Sequence, residues 1–238
     1  MGSSYFYLEF LLVWLSLLKS VGYRNPAIFA LEYTLVPDAC YPTQLQEVIT
    51  GYNYILSMID EPSKICVAGD SAGATIILSL LLHLARSGQT EKDNRSIVPG
   101  MAVLISPWVT LVSSKDKNTA SDYLDAKTLQ IYARQYAGTK ISTGDSRVSP
   151  GNCKDVDLWA KASPTHGFFI TYGAEEIFAP EIRDLIRILV EAGTDIDVEI
   201  AKGGIHAWPV AALFLSSTTE KRQRGLKSIV DQIWERMD

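Results

Sequence analysis

The sequence's clearest chemical signal is a serine with glycines two residues away on either side: Gly69-Asp70-Ser71-Ala72-Gly73. Small residues recur by chance, so the pentapeptide gains meaning from its setting. It follows the apolar run Lys64–Ala68 and opens a helical stretch beginning at Ala72. A strand that turns sharply into a helix is the arrangement of a nucleophile elbow. The tight turn would hold Ser71 strained, with its hydroxyl at the C-terminal edge of a sheet. The helix N-terminus would place the Ala72 N–H where an oxyanion develops. Glycines at 69 and 73 would let the strand and helix backbones pass closely. The expected chemistry is attack by an activated hydroxyl through an acyl-serine intermediate.

Such a hydroxyl needs a base, and the chain has three histidines. His83 lies twelve residues along the helix that follows Ser71; at 1.5 Å per residue that is about 18 Å away. His166 precedes the apolar run Phe168–Tyr172, which puts it at the opposite edge of the sheet. His206 follows the run Ile196–Ala201, within Gly203-Gly204-Ile205-His206, and alone falls on the serine's edge. A third group should orient His206 and stabilise its charged form. The loop after Phe168–Tyr172 offers two adjacent carboxylates, Glu175 and Glu176. Residue types and order leave both open. Asp70 is unsuitable, because its side chain leaves the elbow in a different direction from Ser71.

These residues must be positioned by alternating elements. Ala27–Tyr33, Lys64–Gly69, Met101–Ser106, Phe168–Tyr172 and Ile196–Ala201 read as strands, mostly continuous apolar runs of the kind buried on both faces. Tyr5–Lys19, Thr43–Ile59, Ala72–Ser87, Pro180–Ala192 and Glu220–Arg236 read as helices, with Gly88 and Gly193 as helix stops. The alternation predicts an α/β fold with a doubly wound, mostly parallel sheet. Residues 112–165 interrupt it: no convincing strand, one helix over Asp122–Ala137, and turn residues around it. This segment is expected to be a helical lid over the catalytic edge of a single domain spanning 1–238.

Composition narrows the function classes. Apolar residues make up 47% and charged residues 21%, so long disorder is not expected. The net charge of −5, with no block of Lys or Arg, gives no footing for nucleic acid. Cys40, Cys66 and Cys153 have neither metal nor redox spacing. They read as free thiols in a reducing, cytoplasmic setting, and a Cys40–Cys153 disulfide is allowed but not implied. Tyr5–Leu18 is apolar, but it carries Glu9, is too short to span a bilayer and lacks a basic leader. It is expected to be a buried amphipathic helix, and membrane association is not expected. Met1-Gly2-Ser3-Ser4 fails as a myristoylation signal because Phe6 stands where Ser or Thr is needed.

The chain resembles the hormone-sensitive-lipase-like branch of α/β hydrolases over nearly its whole length. Tyr33-Thr34-Leu35-Val36-Pro37-Asp38 with Tyr41-Pro42 is similar to the family's Y-R-L-A-P-E…F-P segment. Gly69–Gly73 matches its G-D-S-A-G, and Ser106-Pro107-Trp108 its S-P-W. Glu176–Glu181 stands at its D-x-L-x-D-E, and Gly204-Ile205-His206 at its G-x-x-H-x-F. The wording around Gly173–Glu181 and Gly203–Pro209 looks most like fungal members, steryl-acetate hydrolases included. The resemblance implies Ser71, Glu176 and His206 as catalytic residues, with Glu176 preferred because an ungapped register through Glu181 and Gly193 puts it on the family's acid position. It further implies Ala72 as oxyanion donor, an ester substrate, and no metal or organic cofactor.

One departure stands out. The family's H-G-G-G oxyanion loop and its strand would lie just before Met1. An N-terminally incomplete sheet is therefore expected, with either a gap between the strands at Ala27–Tyr33 and Lys64–Gly69 or direct pairing of the two. Two functions follow. The first is a carboxylic ester hydrolase; Tyr5–Leu18, Trp108, Tyr123 and Tyr132 suggest an apolar substrate group. The alternative is an impaired or non-catalytic homologue that binds a small ligand.

Overall fold

The computed structural model describes residues 4–87 and 97–238; Met1–Ser3 and the helix stop expected at Gly88 lie outside them. Among the described residues four strands form one sheet in the order β1-β2-β3-β4: β1 Cys66–Asp70, β2 Met101–Ile105, β3 Phe168–Gly173 and β4 Ile196–Ala201. Every pair is parallel. The helices are α1 Ser4–Val21, α2 Thr43–Leu56, α3 Ala72–Ser87, α4 Ala126–Ala137, α5 Val156–Ala162, α6 Ala179–Glu191, α7 Trp208–Leu215 and α8 Thr219–Met237.

The central strands β2 and β3 are buried along their whole length, as their unbroken apolar runs require. Their side chains alternate between two cores. Ala102, Leu104, Phe168, Ile170 and Tyr172 pack with α2, α3, α4, α5 and α6. Met101, Val103, Ile105 and Phe169 pack with α1, α7 and α8. The sheet is thus doubly wound, and all the βα turns that carry chemistry emerge at one edge. The edge strand β4 instead presents Asp197 and Val198 to solvent. Gly193, at φ 70°, ends the turn after α6 where a stop was expected.

Several expectations need correction. Ala27–Tyr33 is not a strand; it runs as irregular chain. Among the described residues no strand lies between it and β1, so its backbone has no ladder to join. It leans on α2 instead: Leu31 and Phe29 close over Gly51, and Glu47 accepts from both Thr34 N (2.8 Å) and Thr34 Oγ1 (2.6 Å). The helix expected from Asp122 starts at Ala126, because Asp125 caps it by accepting from Thr128 N and Asp122 is engaged elsewhere. The short helices α5 and α7 were not foreseen. α1 buries one stripe, Phe10, Trp14 and Leu18, while Tyr5, Phe6, Leu8 and Leu12 on its other side are exposed. Cys40 and Cys153 are unpaired thiols, as is Cys66. Among the described residues no helix is long and apolar enough to cross a membrane.

Candidate active site

Ser71 sits between β1 and α3 with φ 52°, the left-handed region that a residue with a Cβ enters only under constraint. The constraint is visible. Ser71 N donates to Ile105 O of β2 (2.9 Å), and Ser71 O accepts from Trp108 N (3.2 Å) and Thr75 N (3.3 Å). Gly69 supplies the close approach: a Cβ there would stand 2.5 Å from the Gly73 carbonyl carbon. Gly73 is not required in the same way, since a Cβ at 73 would meet nothing within 4 Å. Ala72 is the exposed first residue of α3, so its N–H has no intrahelical acceptor and is available to an anion.

The other two candidates arrive on the loops after β3 and β4. These loops touch through their glycines: a Cβ on Gly173 would lie 2.2 Å from Gly204 O. Ala174 N donates to Ala201 O at 2.9 Å. Glu176 is buried at 2% exposure and His206 at 3%, which is notable for ionisable side chains. Glu176 Oε2 accepts from Gly173 N (2.8 Å) and from Ser106 Oγ (2.6 Å). Glu176 Oε1 faces His206 Nδ1 at 3.8 Å, and neither atom has another hydrogen-bond partner. A buried acceptor and a buried ring nitrogen left only each other are suited to share a proton. The imidazole is wedged edge-on against Phe178 (5.1 Å between ring centres) and Tyr123 (5.9 Å). Phe178 in turn stacks on Trp108.

Glu175, the competing acid, is exposed; its carboxylate accepts from Ser121 Oγ and its carbonyl from Thr119 Oγ1. His83 is half-buried on α3, and His166 lies at the far end of β3, its carbonyl accepting from Arg236. Of the aromatics expected to bind substrate, Trp108 is core and Tyr132 packs against the core; Tyr123 is exposed beside His206.

Three features escaped sequence reasoning. Asp122, between β2 and α4, accepts from Ile177 N (2.8 Å) and His206 N (3.3 Å), tying both loops to the 112–165 segment. Tyr7 on α1 donates to Asp70 Oδ2 at 2.7 Å. Burial pushes the Asp70 carboxyl up, opposed by that hydrogen bond and by His206. Burial, with Asp70 adding, pushes the Tyr33 phenol up to about 12. Ser106, fully buried, is the third. Each joins residues far apart in the chain, so no local pattern, the Ser106-Pro107-Trp108 match included, announces the partner it holds.

The parallel sheet with helices on both faces, the strained serine elbow and the buried histidine and carboxylate on neighbouring loops define the α/β-hydrolase class of fold. The chain belongs to the steryl acetyl hydrolase family, whose sequence model matches residues 2–231. It is 32% identical over 168 residues to the mug81 protein of Schizosaccharomyces pombe (67% of this chain, 43% of that one). Against an acetyl-hydrolase of Streptomyces hygroscopicus the identity is 28% over 194 residues (76% and 57%). The chain thus spans about half the length of the curated relatives it matches. Carboxyl esterase 2 of the fungus Tuber melanosporum shares the fold at a TM-score of 0.77 and 18% identity, over 100% of this chain and 75% of that one. A bacterial esterase of the hormone-sensitive lipase family does so at 0.72 and 21%, over 87% and 65%.

Proposed function

We propose that this chain carries the catalytic apparatus of a serine carboxylic-ester hydrolase acting on acetyl esters of apolar alcohols, sterols among them. The observation that carries the reading is the left-handed Ser71 at the strand–helix turn, on the same sheet edge as the buried Glu176–His206 pair. Ser71 Oγ attacks the ester carbonyl carbon while its proton passes to His206 Nε2. The carbonyl oxygen becomes an oxyanion facing the Ala72 N–H. Glu176 Oε1 accepts a hydrogen bond from the His206 Nδ1–H, keeps its negative charge and so stabilises the imidazolium. Collapse breaks the ester C–O bond, and His206 returns the proton to the departing alcohol. Water, deprotonated by His206, then attacks the acyl carbon; the bond from that carbon to Ser71 Oγ breaks, His206 returns the proton to Oγ, and acetic acid leaves.

The 112–165 segment acts as a lid in this reading, since it supplies Tyr123 beside His206 and the Asp122 tie to both loops. The steryl choice rests on the family description and the acetyl choice on that and the relatives' names. The test measures release of acetate from an aryl acetate and from a steryl acetate, with Ser71→Ala as the blank. Turnover of both that falls at least about a thousandfold in Ser71→Ala supports the reading. Equal rates with and without the serine overturn it, and saturable steryl acetate binding without any turnover favours a ligand-binding role.

A further inference from the structure

We propose that Ser106 is a positioning residue, one hydroxyl of which locks the Glu176 carboxylate and the His206 loop in register. The inference rests on the catalytic reading of Glu176 and His206 given above. Ser106 immediately follows β2, is fully buried, and has φ 45°. A left-handed backbone is costly for a residue with a Cβ, so something must offset it. The backbone is held by Ser106 N donating to Thr171 O at 2.8 Å. The side chain does more. Ser106 Oγ stands 2.6 Å from Glu176 Oε2 and 2.8 Å from Ala207 N.

The direction of these two bonds follows from chemistry. The Ala207 N–H can only donate, so Ser106 Oγ accepts from it. The single hydroxyl proton is then left for Glu176 Oε2. That oxygen also receives the Gly173 N–H. With two donors aimed at it, Oε2 carries no proton of its own. Any proton shared by Glu176 and His206 therefore lies between Oε1 and Nδ1, the two buried atoms that have no other partner. Ser106 thus anchors one carboxylate oxygen and turns the other toward the imidazole. Through the residue after His206, which is itself left-handed at φ 50°, it also fixes where the imidazole is held. One hydroxyl sets both halves of the pair.

Two variants separate the hydroxyl from the backbone. Ser106→Ala removes the hydroxyl and keeps the strain. Ser106→Gly removes the hydroxyl and relieves the strain, because glycine enters the left-handed region freely. In both, kcat on an aryl acetate should fall about 10- to 100-fold, as expected for a misaligned catalytic pair, with KM within about threefold of the parent. The independent readout is the low-field proton resonance of His206 Nδ1–H at acidic pH, present in the parent and moved upfield or lost in both variants. That signal needs no turnover, so it tests Ser106 even if the chain proves not to hydrolyse esters. A parent without aryl-acetate turnover would count against the hydrolase reading; with the low-field proton still altered in both variants, the role of Ser106 stands. A Ser106→Gly protein with near-parent kcat and an unchanged low-field proton would overturn the proposal. So would activity lost in Ser106→Ala only in step with lost folding while Ser106→Gly stays active.

Discussion

Replacing Glu176 by Gln changes one atom and should nearly abolish turnover. The amide can still accept from Ser106 Oγ and Gly173 N through its oxygen, as Oε2 does now. Its NH2 then replaces Oε1 and faces His206 Nδ1, 3.8 Å away in the parent. Two groups cannot both donate across that gap, so Nδ1 must become the acceptor and the ring proton moves to Nε2. An imidazole protonated at Nε2 cannot take the Ser71 proton. Tautomer reversal of this kind costs about 10⁴-fold in kcat, equivalent to about 5.4 kcal/mol at 1.36 kcal/mol per tenfold. The folded state should lose only about 1–2 kcal/mol, because two charge-assisted hydrogen bonds become neutral without opening a cavity. Glu175→Gln is the control: that side chain is exposed and bonded to Ser121, so kcat should stay within about threefold, surface changes of this kind being worth about 0.5 kcal/mol. The assay is aryl-acetate turnover by both variants, with Ser71→Ala subtracted and unfolding followed in urea. Equal losses at the two positions, or a larger loss at Glu175, would refute the assignment.

Further consequences follow from the same geometry. Gly69→Ala should cost at least about 2 kcal/mol in urea unfolding, since its Cβ would meet the Gly73 backbone at 2.5 Å. Gly73→Ala, with open space at that point, should be neutral or stabilising by up to about 1 kcal/mol. Asp122→Ala strands the N–H groups of Ile177 and His206, and kcat should fall about tenfold or more. Burial pushes the Asp116 carboxyl up to about 6, with Glu181 adding and a Ser113 backbone hydrogen bond opposing. The folded state therefore holds this proton more tightly than the unfolded chain does. Its contribution to stability is complete below about pH 4 and is lost as pH rises through about 6. Asp116→Asn should flatten that slope by about 1 kcal/mol, discounted for solvent contact, as read from urea midpoints at pH 4.5 and 7.5.

The elbow was legible because all its determinants are local: an apolar run, a pentapeptide and a helix within a few residues. β2 and β3 were legible because burial on both faces demands unbroken apolar runs. Elimination among three histidines pointed to His206, and the structure places that residue buried, with Nδ1 facing Glu176. The choice between Glu175 and Glu176 was open to residue types, because neighbours on a loop differ only in the direction they face. Three-dimensional burial separates them, one exposed and the other at 2%. Ala27–Tyr33 misled because β-rich composition describes a side-chain surface, while a strand also needs a neighbouring backbone. Ser106 stood out only as part of Ser106-Pro107-Trp108 and Asp122 only as a helix start; what each holds could not be read. Their partners lie 70 and 101, and 55 and 84, residues away. The insertion's fine structure was hidden for a related reason: Asp122 serves tertiary contacts, and the helix waits for the Asp125 cap.

Covalent trapping asks whether Ser71 is a nucleophile activated by His206. The protein is treated with a fluorophosphonate, digested, and the modified peptide identified by mass spectrometry. One phosphonyl adduct is expected, on Ser71, with labelling abolished in Ser71→Ala and slowed at least about a hundredfold in His206→Ala. Labelling that survives Ser71→Ala, or an adduct on another residue in the folded parent, would contradict it.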